Sequence, residues 1–167
     1  AISTPCSVSI RAMNIELPDV RVGYAGGGND DVAHWLQAMG LPVTDISDRD
    51  LETASSLSRW LSGIDTLVIG LFAYRSRAQL SVLAPTINDW VKEGGHLLTL
   101  YHRPWDNWDP RRIPPRMLEI GQPSLRYRVT DEIAEVQHLL PEHPLLGSPN
   151  RITAADWQGW HKERGLY

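Results

Sequence analysis

Short apolar runs that alternate with amphipathic stretches are the feature that most constrains the fold of this chain. Two of these runs, residues 65–70 and 96–101, are almost continuously apolar, as expected for strands covered on both faces. Two further strands are predicted over residues 20–25 and 42–46. Strand, helix and strand at this spacing indicate βαβ units, so we expect an α/β fold with a parallel sheet.

The helices between these strands are marked by their apolar period and by glycine. Val32, Trp35, Leu36 and Met39 follow the i, i+3, i+4, i+7 pattern of an amphipathic helix, and Gly40 is placed to end it. A second helical stretch is expected from Leu51 to Leu61, and a third with Pro85 in its first turn and Gly94-Gly95 at its end.

The rest of the chain is irregular in pattern. Residues 1–19 are interpreted as a linker or the tail of a preceding domain, and residues 20–167 as one α/β domain. Within that domain, the stretch from about 102 to 125 contains five prolines and is expected to form an excursion with few regular elements. Short elements are predicted at Ser7–Ile10, Arg126–Thr130 and Ala154–Trp157.

Composition excludes several classes of function. The net charge is −4, which disfavours binding to a nucleic-acid backbone. No apolar run approaches the ~20 residues that a membrane-spanning helix needs. The single cysteine, Cys6, excludes an internal disulfide framework, and no histidine spacing is typical of a metal site. We therefore expect no metal, no cofactor and no membrane partner. The sequence does not identify the compartment, and a soluble, cytoplasmic protein is favoured.

Three glycines follow the first predicted strand and invite comparison with a dinucleotide-binding loop. Asp31 stands where the third glycine of G-x-G-x-x-G belongs, and Asp30 beside it would repel a phosphate. A tight turn with a carboxylate cap is therefore favoured over a nucleotide site. Gly26, Gly27, Gly28 and Asn29 nevertheless remain candidate ligand contacts, because they lie at the carboxyl end of a strand.

Candidate catalytic groups follow the fourth predicted strand. Tyr101, His102 and Asp106 lie where open α/β sheets bind ligands, and His102 could act as a general acid–base. The alternative is an exposed loop in which His102 hydrogen-bonds to the backbone. Arg103, next in sequence, is a candidate ligand contact.

Two arginines follow the third predicted strand in the same way. Arg75 and Arg77, with Tyr74 beside them, could bind an anion or a carboxylate. They could equally pair with Asp45 or Asp48 at the same edge.

Tryptophan is abundant in the irregular regions. The chain has seven tryptophans and one phenylalanine. Four of the tryptophan rings could stack on sugars, although packing over proline-rich loops is the commoner role of large aromatics. The residues concerned are Trp105, Trp108, Trp157 and Trp160.

Several motifs in register resemble one family. The run Leu17–Tyr24, with the glycines and Asp30-Asp31-Val32 after it, resembles the opening of the C-terminal domain of large PIG-L (LmbE-like) deacetylase proteins. Ala73-Tyr74 with Arg77, and Trp90–Gly95, are similar to an A-Y-x-x-R segment and a glycine-ended helix of that domain. Further similar segments are Arg128–Glu132, Glu142–Leu146, Pro149-Asn150, Ile152–Asp156, Gly159-Trp160 and Glu163–Tyr167.

This resemblance implies a flavodoxin-like, class I glutamine amidotransferase-like fold that is also related to ThuA-like proteins. The sheet would have helices on both faces and its first strand between the second and the third. The family domain continues with more strands, so this chain is expected to be incomplete at its C-terminus.

Neither catalytic apparatus of the related enzymes is found in the sequence. The amidotransferase cysteine would fall at about Tyr101, where the chain has no thiol. The H-P-D-D zinc motif of PIG-L enzymes does not occur in the 167 residues. The resemblance therefore implies a non-catalytic accessory domain. The alternatives are a hydrolase-type enzyme or a carbohydrate-binding module with its site at the carboxyl edge of the sheet.

The expected partners follow from these interpretations. A small-molecule or carbohydrate ligand would lie over the carboxyl ends of the first, third and fourth strands. A sheet without its last strands would leave an edge uncovered, so we expect self-association through that edge or its shielding by residues 102–125. Trp105 and Trp108 are the expected shield.

Overall fold

The computed structural model describes residues 12, 14–121, 131 and 133–159. The chain divides into two compact units, one formed by Asp19–Glu135 with Gly159–Tyr167 and the other by Ala1–Pro18 with Val136–Gln158. Cys6, Trp160 and the strands predicted at Ser7–Ile10 and Arg126–Thr130 lie outside the described residues.

The first unit alternates strands and helices along the chain, as the sequence pattern predicts. Its elements are β1 (Val22–Ala25), α1 (Val32–Met39), β2 (Val43–Asp45), α2 (Ala54–Leu61), β3 (Thr66–Ile69), α3 (Ala73–Ser76), α4 (Ala78–Val82), α5 (Ala84–Lys92) and β4 (His96–Thr99).

The four strands form one parallel sheet in the order β2-β1-β3-β4. Val22 of β1 lies opposite Val43 of β2 and Thr66 of β3, and Thr66 in turn lies opposite His96 of β4. The predicted parallel α/β sheet is confirmed, and its first strand lies between the second and the third. All four carboxyl ends therefore lie at one edge of the sheet.

Helices cover both faces of the sheet because alternate residues of a strand point to opposite sides. Leu67 and Ile69 of β3 belong to the main core, with buried residues of α2, α4 and α5. Val68 belongs to a second cluster, against which Val32 and Leu36 of α1 pack. Full burial of such a side chain stabilises the fold by about 1.5–3 kcal/mol, so the two clusters fix which helix lies on which face.

The helix ends show where the sequence pattern was sufficient and where it was not. Gly40 and Gly94 have φ of 105° and 108°, a conformation that glycine adopts without strain, as predicted for helix ends. The helix expected from Leu51 begins only at Ala54, which corrects that prediction. Thr53 and Ser56 form a capping box there, because each side chain accepts the backbone N–H of the other.

The segment between β3 and α5 differs from the sequence expectation. The sequence predicts no helix between β3 and Pro85, yet two short helices, α3 and α4, occupy residues 73–82. They begin after Phe72, which has φ of 56°. Such a conformation is rare for a bulky residue and leaves no signal in the sequence.

The described part of the proline-rich excursion, residues 102–121, contains turns but no helix or strand. Of the two tryptophans expected to shield the sheet, Trp108 packs against the main core, whereas Trp105 is 53% exposed. Leu98 of β4 is 52% exposed, so a part of the sheet surface near β4 is open to solvent.

The second unit contains helix α6 (Pro144–Gly147) and a 3₁₀ helix at Ala154–Trp157, the turn of helix that the sequence predicted. Glu16 and Asn150 exchange two hydrogen bonds of 2.8 Å, from Glu16 N to Asn150 Oδ1 and from Asn150 Nδ2 to Glu16 O. Trp157 Nε1 donates to His138 Nε2 at 2.8 Å. Among the described helices of both units, none has the length and apolar character to cross a membrane.

Candidate functional site

The loops that follow β1, β3 and β4 meet at the carboxyl edge of the sheet. Phe72 N donates to Tyr101 O, which joins the loop after β3 to the loop after β4. Ser76 Oγ donates to Gly27 O at 3.2 Å, which joins the end of α3 to the loop after β1. The structure thus brings together the three segments that the sequence predicted to surround a ligand.

Asp30 ties three elements together with one carboxylate. Its Oδ1 accepts hydrogen bonds from the Tyr24 hydroxyl and from Val32 N, and its Oδ2 accepts one from Leu71 N at 2.7 Å. Tyr24 belongs to β1, Val32 begins α1, and Leu71 follows β3. The predicted carboxylate cap of α1 is therefore provided by Asp30, while Asp31 makes no side-chain cap bond.

These hydrogen bonds change the acidity of both partners. Partial burial acts to raise the pKa of Asp30, but the bonds from Tyr24, Leu71 and Val32 outweigh it and lower that pKa below its usual value. Burial, together with the bond to the Asp30 carboxylate, raises the pKa of Tyr24. Asp30 is thus an anion held by three donors, and Tyr24 stays protonated as one of those donors.

The glycines around Asp30 allow the close approach of backbone to backbone. A Cβ on Gly27 would lie 2.9 Å from Leu71 O, and one on Gly70 would lie 2.8 Å from Asp30 Oδ2. Asn29 closes the same turn, because its Nδ2 donates to Gly27 O and Leu71 O. Of the three glycines after β1, Gly28, with φ of 74°, is the one with nothing within 4 Å of a Cβ built on it.

The two arginines after β3 have different surroundings. Arg77 donates through Nε to Gly26 O at 2.9 Å and through a terminal nitrogen to Ile46 O at 3.2 Å. It also lies 3.4 Å from Asp48 Oδ1, the ion pair that the sequence offered as an alternative to anion binding. Arg77 therefore joins the ends of β1 and β2. Arg75 is exposed, and its side chain has no hydrogen-bond or ion-pair partner among the described residues.

His102 is almost fully buried, at 3% exposure, and both ring nitrogens contact the backbone. Nδ1 lies 2.7 Å from Leu100 O, and Nε2 lies 3.3 Å from Tyr74 N. A carbonyl only accepts and an amide N–H only donates, so the ring is the neutral tautomer with its proton on Nδ1. Burial lowers the pKa of His102 despite the Leu100 carbonyl and Asp106, which favour the charged ring. This is the backbone-bonded arrangement that the sequence left open.

Asp106 is fully buried and is held by Arg103. Its Oδ2 accepts from Arg103 N and Nε at 2.8 and 2.9 Å, and its Oδ1 accepts from a terminal nitrogen at 2.8 Å. Burial acts to raise the pKa of Asp106, but the bonds from Arg103 lower it below its usual value. The pair closes the first turn of the excursion, so Asp106 serves as an anchor of the loop.

The Arg103 guanidinium also contacts two aromatic rings. Its central carbon lies 4.3 Å from the centroid of Phe72 and 5.4 Å from that of Trp105. The Tyr101 ring lies edge-on to Phe72 at 5.7 Å. Phe72 was not predicted as a site residue, because its position depends on a left-handed backbone conformation that costs of order 1–3 kcal/mol and has no sequence signature.

A small cavity of about 270 Å³ lies beside the end of β4. Trp108 forms part of its wall, and Trp108 Nε1 donates to Leu118 O at 2.9 Å. Asn107 holds this region to the sheet edge, since its Nδ2 donates to Tyr74 O. The remaining lining residues are Thr99, Leu100, Tyr101, His102, Leu118, Glu119 and Ile120.

Four polar side chains at this edge hold loops in place. His102, Asp106, Asp30 and Arg77 all bond to other groups of the protein. Within the described ranges, no three His, Cys, Asp or Glu side chains cluster so that they could hold a metal ion.

Comparisons with known proteins found no relative. No protein-family model matches the chain, and neither a curated protein nor a solved structure matches it. The resemblance to the PIG-L (LmbE-like) domain therefore rests on the sequence motifs alone.

The Arg103–Asp106 pair should contribute strongly to stability. Asp106→Asn would place an amide group against the donors of Arg103 inside the protein, and breaking a buried pair costs about 3 kcal/mol. The free energy of unfolding, measured in urea, should fall by about that amount. Asp89→Asn is the matched control, because Asp89 forms an exposed pair with Lys92 at the same spacing and should cost less than about 1 kcal/mol. Equal losses in the two variants would contradict the anchoring role of Asp106.

The Asp30 interaction should depend on pH. Because folding lowers the pKa of Asp30, its stabilisation is present above the unfolded-state pKa of about 3.9 and is lost as the pH falls through the folded value. Asp30→Asn should therefore reduce the unfolding free energy by about 1.5–3 kcal/mol at pH 7, and the deficit should shrink below about pH 4. Asp31→Asn is the control and should cost little at pH 7. A deficit for Asp30→Asn that stays constant down to pH 2 would refute this role.

Proposed function

We propose that this chain is a non-catalytic accessory domain of a PIG-L (LmbE-like) deacetylase-type protein. Two lines of reasoning support the proposal. Motifs spread from Leu17 to Tyr167 resemble the C-terminal domain of such proteins. In addition, the chain has no H-P-D-D motif and no cysteine where an amidotransferase nucleophile would stand.

The observation that carries the proposal is the environment of His102. A general acid–base must present a ring nitrogen to the substrate, and its pKa should lie near the working pH. Both nitrogens of His102 are bonded to the backbone, at Leu100 O and Tyr74 N. Burial lowers its pKa and thus favours the neutral ring. His102 is therefore suited to holding the loops after β3 and β4 together.

The fold fits within the same proposal. The strand order β2-β1-β3-β4, with helices on both faces, is compatible with a flavodoxin-like domain of the class I glutamine amidotransferase-like and ThuA-like type. In that arrangement the carboxyl edge is the usual place for a ligand. An accessory domain without catalytic groups would use this edge for recognition.

Assays of the intact chain test the lack of catalysis. We expect no hydrolysis of glutamine or of N-acetyl amides above the buffer rate, with or without added zinc, because no positioned nucleophile or metal set is present in the sequence. Any activity found would be compared in His102→Gln and in His34→Gln, which changes an exposed histidine of α1. Activity that His102→Gln abolishes while its circular dichroism spectrum stays unchanged, and that His34→Gln retains, would establish the hydrolase alternative.

The reading frame that encodes the chain gives a second test of the family assignment. We expect an H-P-D-D segment upstream of the sequence, since the proposal places this domain behind a zinc-dependent deacetylase domain. An upstream region that lacks this segment would contradict the accessory role in a deacetylase, whatever the activity assays show.

A further inference from the structure

The two edges of the parallel sheet are protected to different degrees. In the part of the chain that the structure describes, β2 forms one edge and β4 the other. An exposed edge can pair with a further strand, and proteins usually prevent this with short strands, proline or charged side chains. β2 has all three protections, because it has only three residues, follows Pro42 and ends at Asp45. Residues 94–101, which contain β4, include no proline, lysine, arginine, aspartate or glutamate. β4 is therefore the edge that remains able to pair.

The backbone of β4 presents a row of open hydrogen-bonding groups on its outer side. His96 N donates to Asp65 O, next to β3, so the even-numbered residues of β4 face β3. Successive residues of a strand direct their N–H and C=O groups to opposite sides, so those of Leu97 and Thr99 point away from the sheet. These outward groups have no partner among the described residues. The edge thus offers two donors and two acceptors to another strand.

Leu98 adds an exposed apolar side chain to the same strand. It lies opposite Val68 of β3 in the register, so it belongs to the sheet face that carries the second core cluster. α1 packs on that face and contacts β2, at the other edge of the sheet. Leu98 is left 52% exposed. A strand paired with β4 would bring apolar surface next to this side chain and remove it from water, which is favourable.

We propose that β4 pairs antiparallel with β4 of a second copy of this chain, in a dimer with two-fold symmetry. The strand fits itself in one register, which places Leu98 opposite its own copy on the two-fold axis. Leu97 of each chain then lies opposite Thr99 of the other, and each such pair exchanges both of its hydrogen bonds. All four outward groups of each strand are satisfied in this way.

The charges of the strand also favour its own copy as the partner. Like charges directly opposite each other destabilise a strand pair. A two-fold contact brings every residue against the same short segment, so a charged strand would repel itself. Because residues 94–101 contain no acidic residue, lysine or arginine, no such repulsion arises between two copies of β4.

This inference goes beyond the accessory role proposed above and does not depend on it. It gives a strand and a register to the self-association that is expected from the sequence. A monomeric chain would leave the family assignment untouched. An upstream region without the H-P-D-D segment would likewise leave the dimer prediction untouched.

Sedimentation equilibrium of the intact chain under reducing conditions, from about 5 to about 200 µM, tests the proposal. The mass should rise with concentration and level off at twice that of one chain, because a two-fold contact closes on itself. Leu98→Lys would bring two ammonium groups together on the axis and should raise the dissociation constant of the dimer by about tenfold or more. Thr99→Pro, which removes an outward N–H from each chain, should weaken the dimer as well.

Val82→Lys is the matched control for Leu98→Lys. Val82 is also 52% exposed, but it lies on α4 and not on the edge strand. This variant should leave the dissociation constant unchanged. Circular dichroism of each variant shows whether the fold is retained, and Thr99→Pro gives a test that adds no charge.

A disulfide tests the register. In the proposed dimer the two Leu98 Cα atoms would lie about 4.5 Å apart, a separation that a disulfide can span. Leu98→Cys, in a chain that also carries Cys6→Ser, should therefore form a cross-linked dimer on air oxidation. Val82→Cys in the same background should stay uncross-linked.

Four results would overturn the proposal. The first is a chain that remains monomeric at about 200 µM, which would leave β4 to a strand of another protein. The second is a dimer that Leu98→Lys does not weaken, or that Val82→Lys weakens equally. The third is an assembly that grows beyond two chains, and the fourth is a Leu98→Cys chain that forms no cross-link.

Discussion

The side-chain carboxylate of Asp30 connects three elements that meet where the parallel strands end. Asp30 accepts hydrogen bonds from Tyr24 in β1, from Val32 at the start of α1 and from Leu71 after β3. A parallel sheet brings these strand ends together but leaves the amide groups of the turns without partners in the sheet. Asp30 satisfies two of those amides, and the nearby Gly27 and Gly70 let the turns approach closely enough for it to do so.

The sequence was sufficient for the elements that repeat a simple pattern. The parallel strands and α1 follow from apolar runs and from the period of Val32 to Met39, and the helix end follows from Gly40. The sequence was insufficient for contacts between residues that are far apart along the chain. The bond from Leu71 to Asp30 spans 41 positions, and the conformation of Phe72 has no local signature. Sequence spacing could have suggested the Arg103–Asp106 pair, but the burial of Asp106 depends on the folded loop.

The polar residues at this edge have divided roles. Those that looked most like catalytic groups, His102 and Asp106, face inward and hold the loops, and Arg77 does the same between β1 and β2. Outward-facing groups remain at Trp105 and Arg75, where recognition chemistry is available. In a domain of this kind, a ligand could still bind outside the carboxyl ends of the strands. The inward-facing polar side chains would stabilise the loops there, and this is the physical basis of the proposed non-catalytic role.

Nitrogen NMR of the His102 imidazole tests this account most directly, because the account requires a neutral ring with both nitrogens bonded to the backbone. At pH 7 the spectrum should show a proton on Nδ1 and an unprotonated Nε2, since burial lowers the pKa of this ring from its usual value, which already lies below that pH. A proton on Nε2, or an imidazolium with both nitrogens protonated at that pH, would contradict the structural role of His102 and reopen an acid–base function at the edge of the sheet.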